Sequence, residues 1–529
     1  MVYAVYDTTG IQSYIFASTK LKENIGASEL VGRVFKCFLP QVLKYEFGEN
    51  NVLTDWETER AIENWALSKT AEIIYVGGGN AYVAYQSVDD YKKATGAFLR
   101  KVYSKTATIG IASAYVETDF NGDYACQHKR LMKKLSQVKD EINRPIAAGN
   151  QPITKTSLLS GLPVTCVLNG ELLSEDQYLK REVNTSGLDE FDSLKRGRTS
   201  FLAVLHIDGN NMGKHIEKYM QSDNEWSTAV PKIREMSYRI SKLYEQAYEA
   251  ARQTFCEFYN RSEKYRSDDN QPPLIKLIGD GDDITCVITG LWGISFAAEL
   301  LREIEAHSKQ ENLYPFKNWS TTEKPNVSAC AGVVLFHSHY PFSEAYKMAE
   351  ECCKNAKSYT RDAKKYTEGV VGSFIDFHIH HGGTITALKA FRREQYSVDD
   401  KPTIYRPYCV INRDVAEPNA TEQLAQYPNF CDFDTLMYDW TQQSSENPWP
   451  RSRLKALRDA IASEEEEVKK VIDWCNARGF TLPENSDKPI DAPDLECENK
   501  PHKYAPLFDV LEFADVYENI SKGVKKQCE

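Results

Sequence analysis

The apolar positions of this chain fall into short runs of five to nine residues, each delivered into a small-residue or acidic turn. Val2-Tyr3-Ala4-Val5-Tyr6 stops at Asp7 and is followed by TTGIQSYIF. Phe201-Leu202-Ala203-Val204-Leu205-His206-Ile207 stops at Asp208 and is followed by GNNMGKHI. Runs of this length, bounded by turn residues, predict buried strands that hand an aspartate to the start of a helix. A second pair matches as well. Glu72–Val76 enters Gly77-Gly78-Gly79-Asn80 and leaves as Ala81–Tyr85, while Leu274–Ile278 enters Gly279-Asp280-Gly281-Asp282-Asp283 and leaves as Ile284–Ile288. Each reads as strand, tight turn, strand, the pattern of a β-hairpin.

With Gly79 set against Asp282, 72 residues separate Asp7 from its hairpin and 74 separate Asp208 from its own. Two more elements recur in the same order. Strand-like Thr108–Ala114 corresponds to Val327–Val334, and each precedes a helical segment closing on a lysine, Lys139 in one half and Lys357 in the other. The repeat reads β-α-(insert)-β-β-(insert)-β-α. The expected fold class is α+β: two tandem ferredoxin-like domains that resemble palm, GGDEF-cyclase-like domains, each a mixed sheet with helices on one face, plus a mainly α-helical C-terminal domain. Residues 1–145 form the first palm, 146–198 a connector with little structure of its own, 199–372 the second palm, and 373–529 the helical part. SFIDFHIHH at its start resembles one further strand.

Length and charge narrow the reading. At 529 residues the chain is too long for one core. A net charge of −12 argues against a protein that coats nucleic acid non-specifically, since that binding rests on lysines and arginines meeting phosphates. No apolar run approaches the roughly 20 residues that span a bilayer, and the N-terminus lacks a signal peptide's pattern, so a cytoplasmic protein with no membrane contact is expected. The 13 cysteines contain no CxxC pair, which points to reduced, mostly buried thiols over zinc.

The candidate chemistry sits in the second half. Nucleotidyl transfer needs hard cations held by carboxylates converging from adjacent strands. Asp208 at the end of one strand, with Asp282 and Asp283 on the neighbouring hairpin, would supply them for two Mg²⁺ or Mn²⁺ ions. Gly281 would let the backbone turn tightly beside phosphates, and Lys357 is placed to meet a triphosphate. Asp280 is either a further acidic contributor or a turn residue. In the first half Asp7 persists, but Gly78-Gly79-Asn80 carries no carboxylate, so that half should be catalytically silent and, with its glycines kept, suited to bind an acceptor nucleotide. His378 and His380 share one face of a strand and read as surface or core histidines. The run Glu464–Glu467 reads as the solvated start of a helix.

These motifs resemble the large polymerase/cyclase subunit of type III CRISPR effector complexes, over residues 1 to about 370 and into the C-terminal part. The resemblance rests on Asp7 with Gly10-Ile11-Gln12, on Gly77-Gly78-Gly79-Asn80, on Asp208-Gly209-Asn210-Asn211-Met212-Gly213, on Asp280-Gly281-Asp282-Asp283, and on Ala356-Lys357. It implies synthesis of cyclic oligoadenylate second messengers from ATP in antiviral defence. Asp208, Asp282 and Asp283 would hold the metals. Lys357 and Lys214 would contact phosphates, and Gly209 and Asn211 would shape the substrate pocket. Partners would be ATP and, in an RNA-guided complex, other effector subunits with guide and target RNA. Two alternatives stay open: a cyclic dinucleotide synthase working without guide RNA, and a non-catalytic scaffold subunit. The sequence departs from the family at Asn210, where relatives carry a second aspartate, and at Asp280, where they carry glycine. It also lacks a His-Asp dipeptide and a CxxC, so neither an HD nuclease nor a zinc ribbon is expected.

Overall fold

The computed structural model describes residues 1–58, 65, 67–141, 154–184, 186–197, 199–220, 225–265, 271–316, 327–366, 372–383, 387–410, 427–441, 449–463, 465–480 and 501–521. The first half comprises β1 (Val2–Thr9), α1 (Ile11–Ile15), α2 (Leu21–Arg33), α3 (Leu39–Phe47), β2 (Val52–Leu53), β3 (Ala71–Gly77), β4 (Asn80–Tyr85), α4 (Val88–Thr106), β5 (Gly110–Glu117) and α5 (Tyr124–Glu141). A hairpin, β6 (Cys166–Leu168) and β7 (Glu171–Leu173), and helix α6 (Glu175–Val183) follow. The second half repeats the plan with β8 (Phe201–Gly209), α7 (Met212–Met220), α8 (Trp226–Arg261), β9 (Leu274–Asp280), β10 (Asp283–Thr289), α9 (Gly290–Ser308), β11 (Ala329–His337) and α10 (Phe342–Tyr366). The chain ends with β12 (Ser373–Ile379), α11 (Leu388–Gln395), a small ladder β13–β14 (Ser397–Val398, Lys401–Pro402), β15 (Tyr408–Val410) and helices α12 (Phe430–Thr441), α13 (Arg451–Ile461), α14 (Glu465–Asn476) and α15 (Ala505–Phe513).

The two sheets run β2-β3-β4-β1-β5 and β15-β12-β11-β8-β10-β9. Within each, the four repeat-matched strands occupy the same order, β3-β4-β1-β5 against β9-β10-β8-β11. The fold is therefore α+β, two tandem palm domains followed by a mainly helical region. The insert after each hairpin is a helix, α4 or α9, that returns the chain across the sheet, and the insert before it holds α2, α3 and β2 in the first half and α8 in the second.

Three features differ from the sequence reading. The second sheet is covered on both faces rather than one. Leu205, Ile207, Cys286 and Val333 join a core with α8, α9 and the C-terminal helices, while Leu202, Val204 and Val334 pack with α10 and with helices of the first palm. That is why β8 and β11 read as continuous apolar runs without alternation. The described part of the connector is folded as well: α6 starts at a Ser174–Gln177 capping box and packs along α2, with Arg181 bonded at 2.6 Å to the fully buried Glu23. Residues 146–153 lie outside the described residues. Lastly, β12 and β15, from beyond residue 372, extend the second sheet, β12 lying parallel to β11. The helical region thus docks on a sheet it helps to build, through contacts such as Phe377 against Phe433 and Phe513.

The palms exchange helices. In the second half α8 crosses to the first palm, where the buried Arg234 guanidinium pairs with Glu72 at 3.0 Å and donates to the carbonyls of Ile73 and Ile74 at 2.7 Å each. In the first half α2 lies against β9, with the Ser28 hydroxyl donating to the Leu277 carbonyl. This reciprocal packing brings the two hairpin tips together. A methyl group on Gly281 would lie 3.8 Å from the Gly78 amide nitrogen.

Candidate active site between the palms

In β8 and β10, Asp208 and Asp283 are directly opposed across an antiparallel ladder. Opposed residues project to the same face, so two carboxylates stand side by side. The equivalent pair in the first palm is Asp7 and Asn80. The backbone repeats too: Thr8 donates to the Gly79 carbonyl at 3.0 Å and Gly209 to the Asp282 carbonyl at 3.3 Å. The alignment of Gly79 with Asp282 is thus an alignment in space.

Both aspartates meet the lysine expected to close the last helix of the repeat, although α5 runs on to Glu141 and α10 to Tyr366. Lys357 lies 2.6 Å from Asp208 and donates to the Gly209 carbonyl at 2.9 Å, and Lys139 lies 2.7 Å from Asp7. The turn glycines Gly78, Gly79 and Gly281 all hold φ between 59° and 75°, the left-handed region that glycine enters without steric cost. Gly209 is required for a different reason. A methyl there would lie 2.7 Å from both Asp282 Oδ2 and the Tyr244 hydroxyl. Asn211 also adopts positive φ, at 54°, just before α7, and Lys214 sits exposed on that helix.

The charge on the sheet face is crowded. The carboxyl pKa of Asp283 is raised to about 7, first by burial and then by the carboxylates of Asp208, Asp282 and Glu350. Its Oδ1 is buried without a hydrogen bond, although His206 Nδ1 lies 3.4 Å away. Burial holds His206 neutral, with its pKa lowered to about 4. A carboxylate that repels its neighbours and keeps an unpartnered oxygen fits a divalent cation. Among the described residues no three His, Cys, Asp or Glu side chains stand in ligating arrangement, so Asp208 and Asp283 form the opposed pair and Asp282 projects beside Gly209 and Tyr244.

Asn210 faces away from this pair. It is buried, donating to Ser328 Oγ at 2.9 Å and to the Gly372 carbonyl at 3.3 Å. The departure from the family pattern at this position therefore falls on a structural contact beside the carboxylates.

A cleft of about 690 Å³ separates the palms, lined by Gly10, Gln12, Gly78 and Gly79 on one side and Asp282 and Asp283 on the other. Both sets of motifs face the same space.

Residues 201–365 match the family model described as Cas10/Cmr2, second palm domain. The match covers the second palm and is a likeness of that segment. The matched segment contains Asp208, Asp282, Asp283 and Lys357, and the fold likeness extends well beyond it. A Csm1-Csm4 cassette in complex with cA4 superposes over 97% of this chain and 69% of its own, with a TM-score of 0.50 and 14% identity. The cassette in complex with pppApA gives the same figures. Csm1 of T.onnurineus covers 98% of this chain and 69% of its own, again at 0.50 and 14%. No curated protein sequence matches the chain.

Three residues near the carboxylates of the second palm escaped the sequence reading. His206 lies two residues before Asp208 and shares its face of β8, so strand alternation could have found it. Glu350 precedes Lys357 by seven residues, two helical turns on one face of α10. Tyr244 lies on the buried stripe of α8 with Ile240, Ala247 and Ala251, a periodicity that marks a core face and not a site. The His378–His380 pair is elsewhere, His378 in β12 and His380 just past its end, both side chains buried and His378 held neutral by burial. Of the acidic run, Glu464 lies outside the described residues, and α14 begins at Glu465. No helix among the described residues is long and apolar enough to cross a membrane.

Proposed function

We propose that this chain is a metal-dependent nucleotidyltransferase that converts ATP to cyclic oligoadenylate second messengers, within CRISPR-type antiviral defence. The observation that carries the reading is the asymmetry between the palms: Asp208 faces Asp283, whereas Asp7 faces Asn80. A carboxylate pair kept in one copy and lost from the other matches one catalytic palm and one that binds an acceptor nucleotide. The likeness in fold to a Csm1-Csm4 cassette crystallised with cA4 and with pppApA supports the product class.

In this reading Asp208 and Asp283, with Asp282 beside them, hold Mg²⁺ or Mn²⁺. When bound, such ions lower the pKa of an attacking ribose hydroxyl and stabilise the departing pyrophosphate. The chain's own groups do the rest. Lys357, now neutralising Asp208, turns its ammonium to the triphosphate, and Lys214 meets outer phosphates from α7. Gly209 keeps the turn flat against Asp282, and Asn211 shapes its far end. Gly281, with Gly78 and Gly79 opposite, lets two nucleotides approach closely enough for one ribose hydroxyl to attack the other's α-phosphate. Each step forms one phosphodiester and releases one pyrophosphate.

The test is incubation of the full chain with each labelled NTP and Mg²⁺ or Mn²⁺, with product mass measured. Product from ATP that is lost in the double variant Asp282→Ala, Asp283→Ala is the expected result. Product formed only after other effector subunits, guide and target RNA are added would make the chain a subunit of an RNA-guided complex. Absence of product under every condition would overturn the catalytic reading and leave the scaffold role.

A further inference from the structure

Gln12, in the short helix α1 after β1, belongs to the palm that lacks a carboxylate pair, yet its side chain crosses to the other palm. Its Nε2 donates to the Tyr346 hydroxyl at 2.9 Å and to Glu350 Oε1 at 2.8 Å. Both acceptors lie on α10, four residues apart on the face that looks onto the sheet. From there the contacts lead to the metal-binding pair. The Tyr346 hydroxyl is 3.5 Å from His206 Nδ1, and the same nitrogen is 3.4 Å from Asp283 Oδ1. Glu350 is among the carboxylates whose charge acts on Asp283.

The connection is anchored at one end and open at the other. Tyr346 is buried, with the ring of Phe16 from the first palm tilted at 40° and centred 4.3 Å from its own. His206 is 6% exposed between β8 and α10. Gln12 itself is exposed and lines the cleft between the palms. A side chain that contributes little burial, spans two domains and bonds two groups flanking a crowded carboxylate is placed to orient that carboxylate.

Building on the reading above, we propose that Gln12 is a positioning residue through which the first palm completes the cation site of the second. It fixes Glu350 and, through Tyr346 and His206, the Asp283 carboxylate in the arrangement that receives a divalent ion. Partners that orient ligands without touching the metal commonly set its affinity. The first palm would then be needed for cation binding as well as for holding a nucleotide.

The experiment titrates Mn²⁺ into the full-length protein without nucleotide, by calorimetry and by loss of the free Mn²⁺ electron paramagnetic resonance signal. Unmutated protein is compared with Gln12→Leu, Tyr346→Phe, the double variant and Asp283→Asn, and the Tm of each is recorded. Gln12→Leu and Tyr346→Phe should each weaken Mn²⁺ about fivefold, the equivalent of one lost hydrogen bond. The double variant should lose less than the product of the two, because both act on one chain of contacts. Gln12→Leu should leave Tm unchanged. Affinities within twofold of the unmutated protein, or fully additive losses, would overturn the proposal while Asp283→Asn still abolished binding. If the unmutated chain bound no Mn²⁺, both this inference and the metal-dependent reading would fall.

Discussion

The Lys357 ammonium lies 2.6 Å from the Asp208 carboxylate, and Lys139 and Asp7 reproduce that pair at 2.7 Å in the other palm. Conserved geometry with unequal surroundings separates structure from chemistry. Only Asp208 has a carboxylate opposite it, so only there can the lysine and a cation compete for the same oxygens. Lys357→Ala should lower turnover of ATP roughly a hundredfold, the scale of removing one preorganised cationic contact from a transferring phosphate. Lys139→Ala should change turnover less than threefold. Rates of product formation at saturating Mg²⁺ decide between them, and equal losses would mean that the palms contribute alike.

Asp283 gives a prediction in pH. Its folded-state pKa of about 7 stands above the ordinary carboxylate value of 3.8. A raised carboxyl pKa means that the unfolded chain releases this proton more readily than the folded one. The group therefore weakens the fold progressively as pH rises from about 4, and fully above 7. Asp283→Asn removes that cost. In EDTA at pH 8 the variant should be more stable than the unmutated protein by about 1–2 kcal/mol, a figure discounted because the side chain is about a third exposed. The advantage should shrink towards pH 4.5 and vanish when Mg²⁺ occupies the unmutated site. Denaturant melts across that range measure it, and an advantage independent of pH would contradict the assignment.

Arg234 ties the palms together from inside. The guanidinium is fully buried against Glu72, whose pKa burial raises despite the arginine's charge. Buried pairs of this kind add little net stability, but removing one partner strands the other. Arg234→Ala should cost about 3–5 kcal/mol, and Arg234→Ala with Glu72→Gln distinctly less. Because α8 also carries Tyr244 to the carboxylates, the single variant should lose activity below its melting transition. Circular dichroism and product assays on the same samples would test both parts.

How much of this was legible in the chain follows from where each signal lives. Asp208, the hairpin and Lys357 announce themselves locally, as a run ending in an acid, a glycine turn and a lysine on a helical segment, although that helix runs on to Tyr366. Their repetition at 72 and 74 residues fixed the correspondence of Asn80 with Asp283 that the ladders bear out. What stayed hidden depends on packing between distant segments. Nothing in AEIIYV shows that Ile73 and Ile74 offer their carbonyls to an arginine 160 residues away. The capping box at Ser174 was local, but the turn-rich sequence around it masked a nine-residue helix. Strand β12 was visible as a strand, yet its parallel place beside β11 is set by α10 crossing between them.

Tyr244 and Gly209 yield the last prediction. The Tyr244 hydroxyl is buried without a hydrogen bond, and burial first, then the charges of Asp282 and Asp208, keep it protonated. An unsatisfied buried hydroxyl costs about 1–3 kcal/mol, so Tyr244→Phe should hold or raise Tm. The hydroxyl and Asp282 Oδ2 both crowd the place where residue 209 would carry a side chain. Gly209→Ala should therefore displace Asp282 and cut product formation more than tenfold. Adding Tyr244→Phe removes one of the two clashing atoms and should restore part of that loss. The first palm carries Thr8 at the equivalent place, because its hairpin has no carboxylate there to meet. If Gly209→Ala kept full activity, Asp282 would not be held where its role requires. If Tyr244→Phe failed to relieve the variant, the hydroxyl would not be the group that sets the space.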